Sequence, residues 1–234
     1  MDVAIFFWIV VVAVFVIIIV AISKSNSDDQ KSDQTSKKQE NSAKPEDSDR
    51  PKVYMMGNKS ASIFTPPEKR AGNAGEDLAT HYIAHFLQKD DSLLANVSLE
   101  YDGRRAEFDN IIVNKYGVFI IEVKNYIGKL YGSEDEYEWQ KYKTDDYGNE
   151  FQKTVKNPIK QVKREIYILA KYLASYGVDV WVEGYAYFVQ CNCPIQSEHV
   201  LYDANDIAKA LHTCTRKMLG KTTTEKIVQI LRGK

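Results

Sequence analysis

Cysteine is scarce in this chain, with three in 234 residues: Cys191, Cys193 and Cys214. So small and odd a number argues against a disulfide framework and fits a reducing compartment. Cys191 and Cys193 form a C-x-C with no Cys or His pair beside it, a poor zinc signal that reads instead as buried small side chains. The four histidines, His81, His85, His199 and His212, show no ligand spacing either. An excess of positive charge is also missing. With 31 Lys and Arg against 32 Asp and Glu the formal net charge is −1, so no global basic field draws the chain toward a polyanion. There is no internal repeat, which excludes solenoid and propeller architectures.

Charge, Pro and Gly are wholly absent from residues 3–22, VAIFFWIVVVAVFVIIIVAI. About twenty residues at a rise of ~1.5 Å span the ~30 Å hydrocarbon core of a bilayer, so residues 1–22 read as a transmembrane helix. No basic leader and no small-x-small cleavage site accompany it, so the helix is expected to stay attached. No Lys or Arg precedes the run, whereas Lys24, Lys31, Lys37 and Lys38 follow it. That asymmetry predicts an N-terminus outside and a cytoplasmic C-terminal domain. Residues 23–52 have no aromatic or branched aliphatic side chain and cannot bury enough apolar surface to offset ordering entropy. A disordered polar linker is expected over 23–67, and one folded domain over 68–234.

Within that domain the periodicities alternate. Ala79, Ile83, Phe86 and Leu87 share one face of a helix expected from Gly75 to Gln88. Strands are expected near 95–101, 106–113 and 118–124, the last two joined by the turn Asn114-Lys115-Tyr116-Gly117, and two short strands near 128–132 and 136–142. The run VFIIEVK is apolar on both faces, as a central strand must be. Asn157 and Pro158 open a second helix with the stripe Ile159, Val162, Ile166, Leu169 and Leu173. Strands at VWVEGYAYFV and HVLYD follow. Two helices close the chain, one capped by Asp203 and one expected to begin with the capping box Thr222-Thr223-Thr224-Glu225. The fold class is therefore α/β, a mixed sheet flanked by helices, preceded by one transmembrane helix.

Three charges interrupt the central apolar stretch EFDNIIVNKYGVFIIEVKN: Asp109, Glu122 and Lys124. Strand alternation puts Glu122 and Lys124 on one face, and a hairpin would bring Asp109 beside Glu122. Two adjacent carboxylates repel unless one takes a proton or a cation sits between them. Mg²⁺ suits such a pair, because it needs few carboxylates and keeps its waters. Lys124 taken alone reads rather as a structural partner for either acid. Glu76, seven residues before Ile83, points along the core-facing stripe of the first helix, although an acid is also at home in any helix's first turn.

GED opening a helix, then EFDNIIV, GVFIIEVKNYIGKLYG, Trp139 and NPIKQ, in this order over residues 74–173, resemble the NERD (nuclease-related) domain, a branch of the PD-(D/E)-x-K nuclease superfamily. The resemblance implies a restriction-endonuclease-like sheet flanked by helices and Mg²⁺-dependent phosphodiester cleavage, with Mn²⁺ as the alternative ion. It makes Asp109, Glu122 and Glu76 metal ligands, Lys124 the lysine that positions water, and Gln161 the glutamine that supports it. One departure is Phe108, not Pro, before the aspartate; Glu107 on the same strand is a lesser ligand candidate. Lys153, Lys156, Lys160, Lys163 and Arg164 gather around the start of the Gln161 helix, where backbone phosphates could rest. The expected function is a membrane-anchored nuclease acting on DNA more than RNA. The alternative is a catalytically silent tethered module on the same fold that binds nucleic acid or protein.

Overall fold

A computed structural model describes residues 50–56, 78–145, 147–213 and 217–233. The expected membrane span at 3–22 lies outside them, and among the described residues no helix is long and apolar enough to cross a membrane. In chain order the strands are β1 (Lys52–Met55), β2 (Ser92–Tyr101), β3 (Arg104–Asn114), β4 (Gly117–Lys124), β5 (Lys129–Tyr131), β6 (Glu138–Thr144), β7 (Glu150–Lys156), β8 (Val182–Phe188) and β9 (Val200–Leu201). The helices are α1 (residues 78–84), α2 (Pro158–Ser175), α3 (Ala204–His212) and α4 (Lys221–Leu231).

Six strands form a mixed sheet in the order β1-β2-β3-β4-β8-β9, and β5-β6-β7 form a separate antiparallel ribbon. The β2-β3-β4 meander is antiparallel, whereas β1, β8 and β9 join their neighbours in parallel. The β3-β4 turn is the expected one: Asn114 Oδ1 accepts from the backbone N–H of Tyr116 and of Gly117. Strand β4 is central, and its alternate residues enter different cores. Val118 and Ile120 pack with Ile168, Leu169 and Leu173 of α2 and with Ile227 of α4. Phe119, Ile121 and Val123 pack with Ala79 and Ile83 of α1 and with Ile207 and Leu211 of α3. Helices thus cover both faces of the sheet, and each such buried side chain contributes about 1.5–3 kcal/mol.

Close backbone approach sets α2 on the sheet. A Cβ at Gly184 of β8 would lie 2.7 Å from Val162 Cγ1 and 2.9 Å from Ile166 Cγ1, so only glycine lets the helix settle there. Asn157 caps that helix, its Oδ1 accepting from the N–H of Ile159 and Lys160. Asp203 caps α3 in the same way.

Five expectations change. Cys191 is exposed and Cys193 half-buried, so the C-x-C is not a pair of buried small side chains. The linker expected over 23–67 contains β1, because Lys52-Val53-Tyr54-Met55 finds an open parallel edge on β2. Strand β7 was not foreseen: nearly all of EFQKTVK is exposed, so no apolar alternation marks it and only its pairing with β6 makes it a strand. Helix α1 ends at residue 84 rather than 88, closing on tight turns in which the N–H of His85, Phe86 and Leu87 reach back three residues. Helix α4 begins at Lys221 with Gly220 as its cap and no side-chain cap bond, because the N–H groups of Thr223 and Thr224 bond to the Gly220 carbonyl. The threonines therefore lie inside the first turn and form no capping box.

Candidate active site

Strands β3 and β4 pair from Asn114↔Gly117 as far as Asn110↔Ile121, and there the ladder stops. Beyond that point β3 remains on β2, and β4 remains on β8. Asp109 stands where the two strands part: its Oδ2 accepts from the N–H of Val123 at 3.0 Å, a side chain taking the place of a ladder carbonyl. Opposite Asp109, Asn96 of β2 has φ 57° and interrupts the ladder between Ala95↔Asn110 and Val97↔Phe108. Apolar residues change parity across this break: Leu94 and Ile111 before it share one core with Val97 and Phe108 after it. The left-handed residue therefore re-aims both strands beside Asp109.

Glu122 and Lys124 project from β4 on the α2 side of the sheet, as the alternation predicts. Glu122 is 4% exposed. Its Oε1 accepts from Lys124 Nζ at 2.6 Å and from the Gln161 amide of α2. Gln161 Nε2 also donates to Oε1 of Glu165, one turn further along the helix, at 2.8 Å. Asp109, Glu122, Lys124 and Gln161 are thus brought together as expected, and Glu165, 2% exposed, joins them. Sequence reasoning missed Glu165. The signal was present: it lies three residues after Val162 and four before Leu169, on the apolar stripe of its helix.

The electrostatics follow from burial. Removal from water pushes Glu122 up to about 7; Lys124 opposes that and the nearby Asp109 adds to it. Burial, reinforced by repulsion from Glu122, pushes Glu165 up to about 9 against the Gln161 hydrogen bond. For Lys124 burial works against the charge, but the Glu122 carboxylate outweighs it and holds the ammonium above the ordinary lysine value. One oxygen of each glutamate, Oε2 of Glu122 and Oε2 of Glu165, is buried without a hydrogen bond. Such atoms are costly unless a proton or a cation satisfies them.

The remaining candidates are dispersed. Glu76 lies outside the described residues. Glu107 is exposed and pairs with Arg105 at 3.3 Å. Lys163 is bound to Glu134 at 2.6 Å, and Arg164 donates to the Arg105 carbonyl at 2.8 Å. Lys160 lies over the Tyr137 ring at 4.4 Å. Lys153 and Lys156, three apart on β7, point to opposite faces of the ribbon. A depression of about 540 Å³ on the ribbon, lined by Lys129, Tyr131, Tyr142 and Glu150 among others, contains none of the buried cluster.

Among the described residues no group of three or more His, Cys, Asp or Glu side chains is arranged to hold a metal ion. Asp109 and Glu122 still offer two hard oxygen donors where β3 and β4 part, and one Glu122 oxygen has no other partner there. That donor chemistry suits Mg²⁺, which is held by one or two carboxylates and fills the rest of its shell with water.

A family model described as nuclease-related domain (NERD) matches residues 71–189, about half of the chain. The chain is also similar to an uncharacterized protein of Bacillus anthracis, 29% identical over 157 residues that cover 63% of this chain and 68% of that one. No solved structure matches it.

Proposed function

The chain belongs to the nuclease-related domain family, and from that premise we propose that it is a nuclease that uses Mg²⁺ or Mn²⁺ to hydrolyse phosphodiester bonds, in DNA before RNA. The observation that carries the reading is the cluster at the parting of β3 and β4, where Asp109, Glu122, Lys124 and Gln161 converge. Asp109 and Glu122 are the side chains that would hold the ion, with Glu76 as a third ligand. When bound, the ion supplies Lewis acidity toward the phosphodiester.

The protein's own groups do the rest. Lys124, kept charged by Glu122, orients the attacking water and meets the charge that gathers on the phosphoryl oxygens. Gln161 holds Glu122 and is itself held by Glu165, so the carboxylate keeps one orientation. Glu165 carries a proton near pH 7, which lets a second acid sit beside Glu122 without a second full charge. Lys153, Lys156, Lys160, Lys163 and Arg164 are the candidates to meet more distant phosphates. Attachment to a membrane through residues 3–22, with the N-terminus outside and the domain cytoplasmic, belongs to the same proposal. It is supported by the uncharged run and the lysines that follow it.

Cleavage of single- and double-stranded DNA and of RNA by the purified full chain, with Mg²⁺, with Mn²⁺ and with EDTA, tests the reading. Cleavage should require the divalent ion and should vanish in Asp109→Asn and Glu122→Gln. A parent that cleaves nothing under any of these conditions, or an Asp109→Asn variant as fast as the parent, refutes it. The closed Lys124–Glu122 contact at 2.6 Å favours a second reading, a silent nucleic-acid- or protein-binding module whose charges are structural. Such a module would bind without turnover at any ion concentration.

A further inference from the structure

The register of the β5-β6-β7 ribbon sorts its side chains onto two unlike faces, since partners across a ladder point the same way. One face carries Lys129 and Lys156 together with Glu138 and Glu150 and is balanced in charge. The other begins in the core: Trp139, fully buried, stacks on Phe188 with ring centroids 6.1 Å apart. Further out, the described strand residues of that second face are Lys141, Lys143, Lys153 and Phe151. Lys141 and Lys153 are direct register partners, and Lys143 is the register partner of Phe151, which is 57% exposed.

This face starts beside the buried cluster. Phe188, under Trp139, is the register partner of Lys124. The Tyr126 ring lies 6.4 Å from the Phe188 ring, and Lys141 Nζ lies 5.6 Å from the Tyr126 ring. Lys141 and Lys143, two residues apart on one strand, stand roughly 6.5 Å from each other. A line of lysines with an exposed aromatic ring among them has the two elements that hold single-stranded nucleic acid: charges for the phosphates and a π-face for a base.

We infer that this face of the ribbon is the seat of a single strand of nucleic acid, with phosphates on Lys141, Lys143 and Lys153 and a base stacked on Phe151. The inference rests on the nuclease reading above for its substrate class. It adds that the strand beside the cleaved bond is held unpaired, because a duplex keeps its bases stacked inside and offers none to Phe151.

Binding of a fluorescent oligothymidylate, and of a duplex of equal length, to the full chain in EDTA over a series of salt concentrations tests this without cleavage. Lys141→Ala with Lys143→Ala should flatten the log K against log salt slope by about 1.4 for the single strand. Phe151→Ala should weaken that complex about tenfold and leave the slope unchanged. Lys129→Ala, on the balanced face, should bind as the parent does. Parent-like affinity and slope in the double lysine variant, a parent that binds the duplex more tightly than the single strand, or a parent that binds neither would overturn the inference. A parent that holds the strand through these residues but never cleaves with Mg²⁺ or Mn²⁺ keeps the seat and removes the nuclease reading. A parent that cleaves, with all variants binding as it does, has the opposite meaning.

Discussion

Glu165→Gln is the sharpest perturbation the cluster offers. Glutamine has the shape of the protonated acid and can still accept from Gln161, so packing around α2 should hold. The carboxyl is pushed up to about 9 in the fold from its ordinary value of 4.5. A carboxyl whose pKa is higher folded than unfolded keeps a proton that the unfolded chain releases, so raising the pH favours unfolding. The loss starts near the unfolded value of 4.5 and is complete near the folded value of about 9. Between 4.5 and pH 7, at about 1.4 kcal/mol per pH unit, the cost is on the order of 3 kcal/mol. Urea unfolding of parent and variant in EDTA at pH 5, 7 and 8.5 measures it. The variant should match the parent near pH 5 and exceed it at pH 7 and 8.5. Some pH dependence will remain in the variant, because Glu122 titrates up to about 7 in the same direction. A variant less stable than the parent at pH 8.5, or a parent whose stability climbs from pH 5 to 8.5, would refute the reasoning.

Lys124→Ala leaves the Glu122 carboxylate without its ammonium at 2.6 Å, and the site is too buried for water to replace it. The expected loss is about 3–5 kcal/mol at pH 8, shrinking toward pH 5 as Glu122 takes up a proton in the fold, and thermal unfolding at both pH values checks it. An equal loss at both would mean that the lysine acts through packing rather than charge. Asn157→Ala removes the cap of α2 and also the bonds its amide gives to the carbonyls of Ser133, Glu134 and Glu136 at 3.1, 3.0 and 2.7 Å, of which Ser133 keeps the Trp139 indole N–H. A cap is worth about 1 kcal/mol and a hydrogen bond to a partly exposed carbonyl about 0.5–1.5 kcal/mol net, so urea unfolding should show a loss on the order of 2 kcal/mol. A loss well under 1 kcal/mol would show that the β5-β7 ribbon and α2 are not joined through this residue.

How much of this was legible beforehand depends on the range of the interaction. The central place of β4 could be read from VFIIEVK, because a strand covered on both sides needs apolar residues at every position and the run contains them. The Asn114–Gly117 turn and the Asn157 and Asp203 caps were equally legible, since each side chain bonds to backbone within three residues. Asp109, Glu122 and Lys124 stood out because charge inside an apolar run is costly wherever the run folds.

Other features had no local signal. Strand β7 exists only because β6 lies beside it, and β1 only because β2 leaves an edge. The start of α4 went to Gly220 although a threonine run stood ready, because the backbone bonds of the first turn close on its carbonyl. Glu165 had a local signal in its place on the apolar stripe of α2, but its partner was set only when α2 came down on Gly184 and brought it toward Glu122. By itself, then, the sequence determined which side chains had to be buried and which charges would be costly there, because burial and local hydrogen bonding are properties of short stretches. Only the tertiary structure decided which charges meet, because the Gln161 amide reaches Glu122 across 39 residues of chain and the distances that set their pKa values arise when helix and sheet pack together.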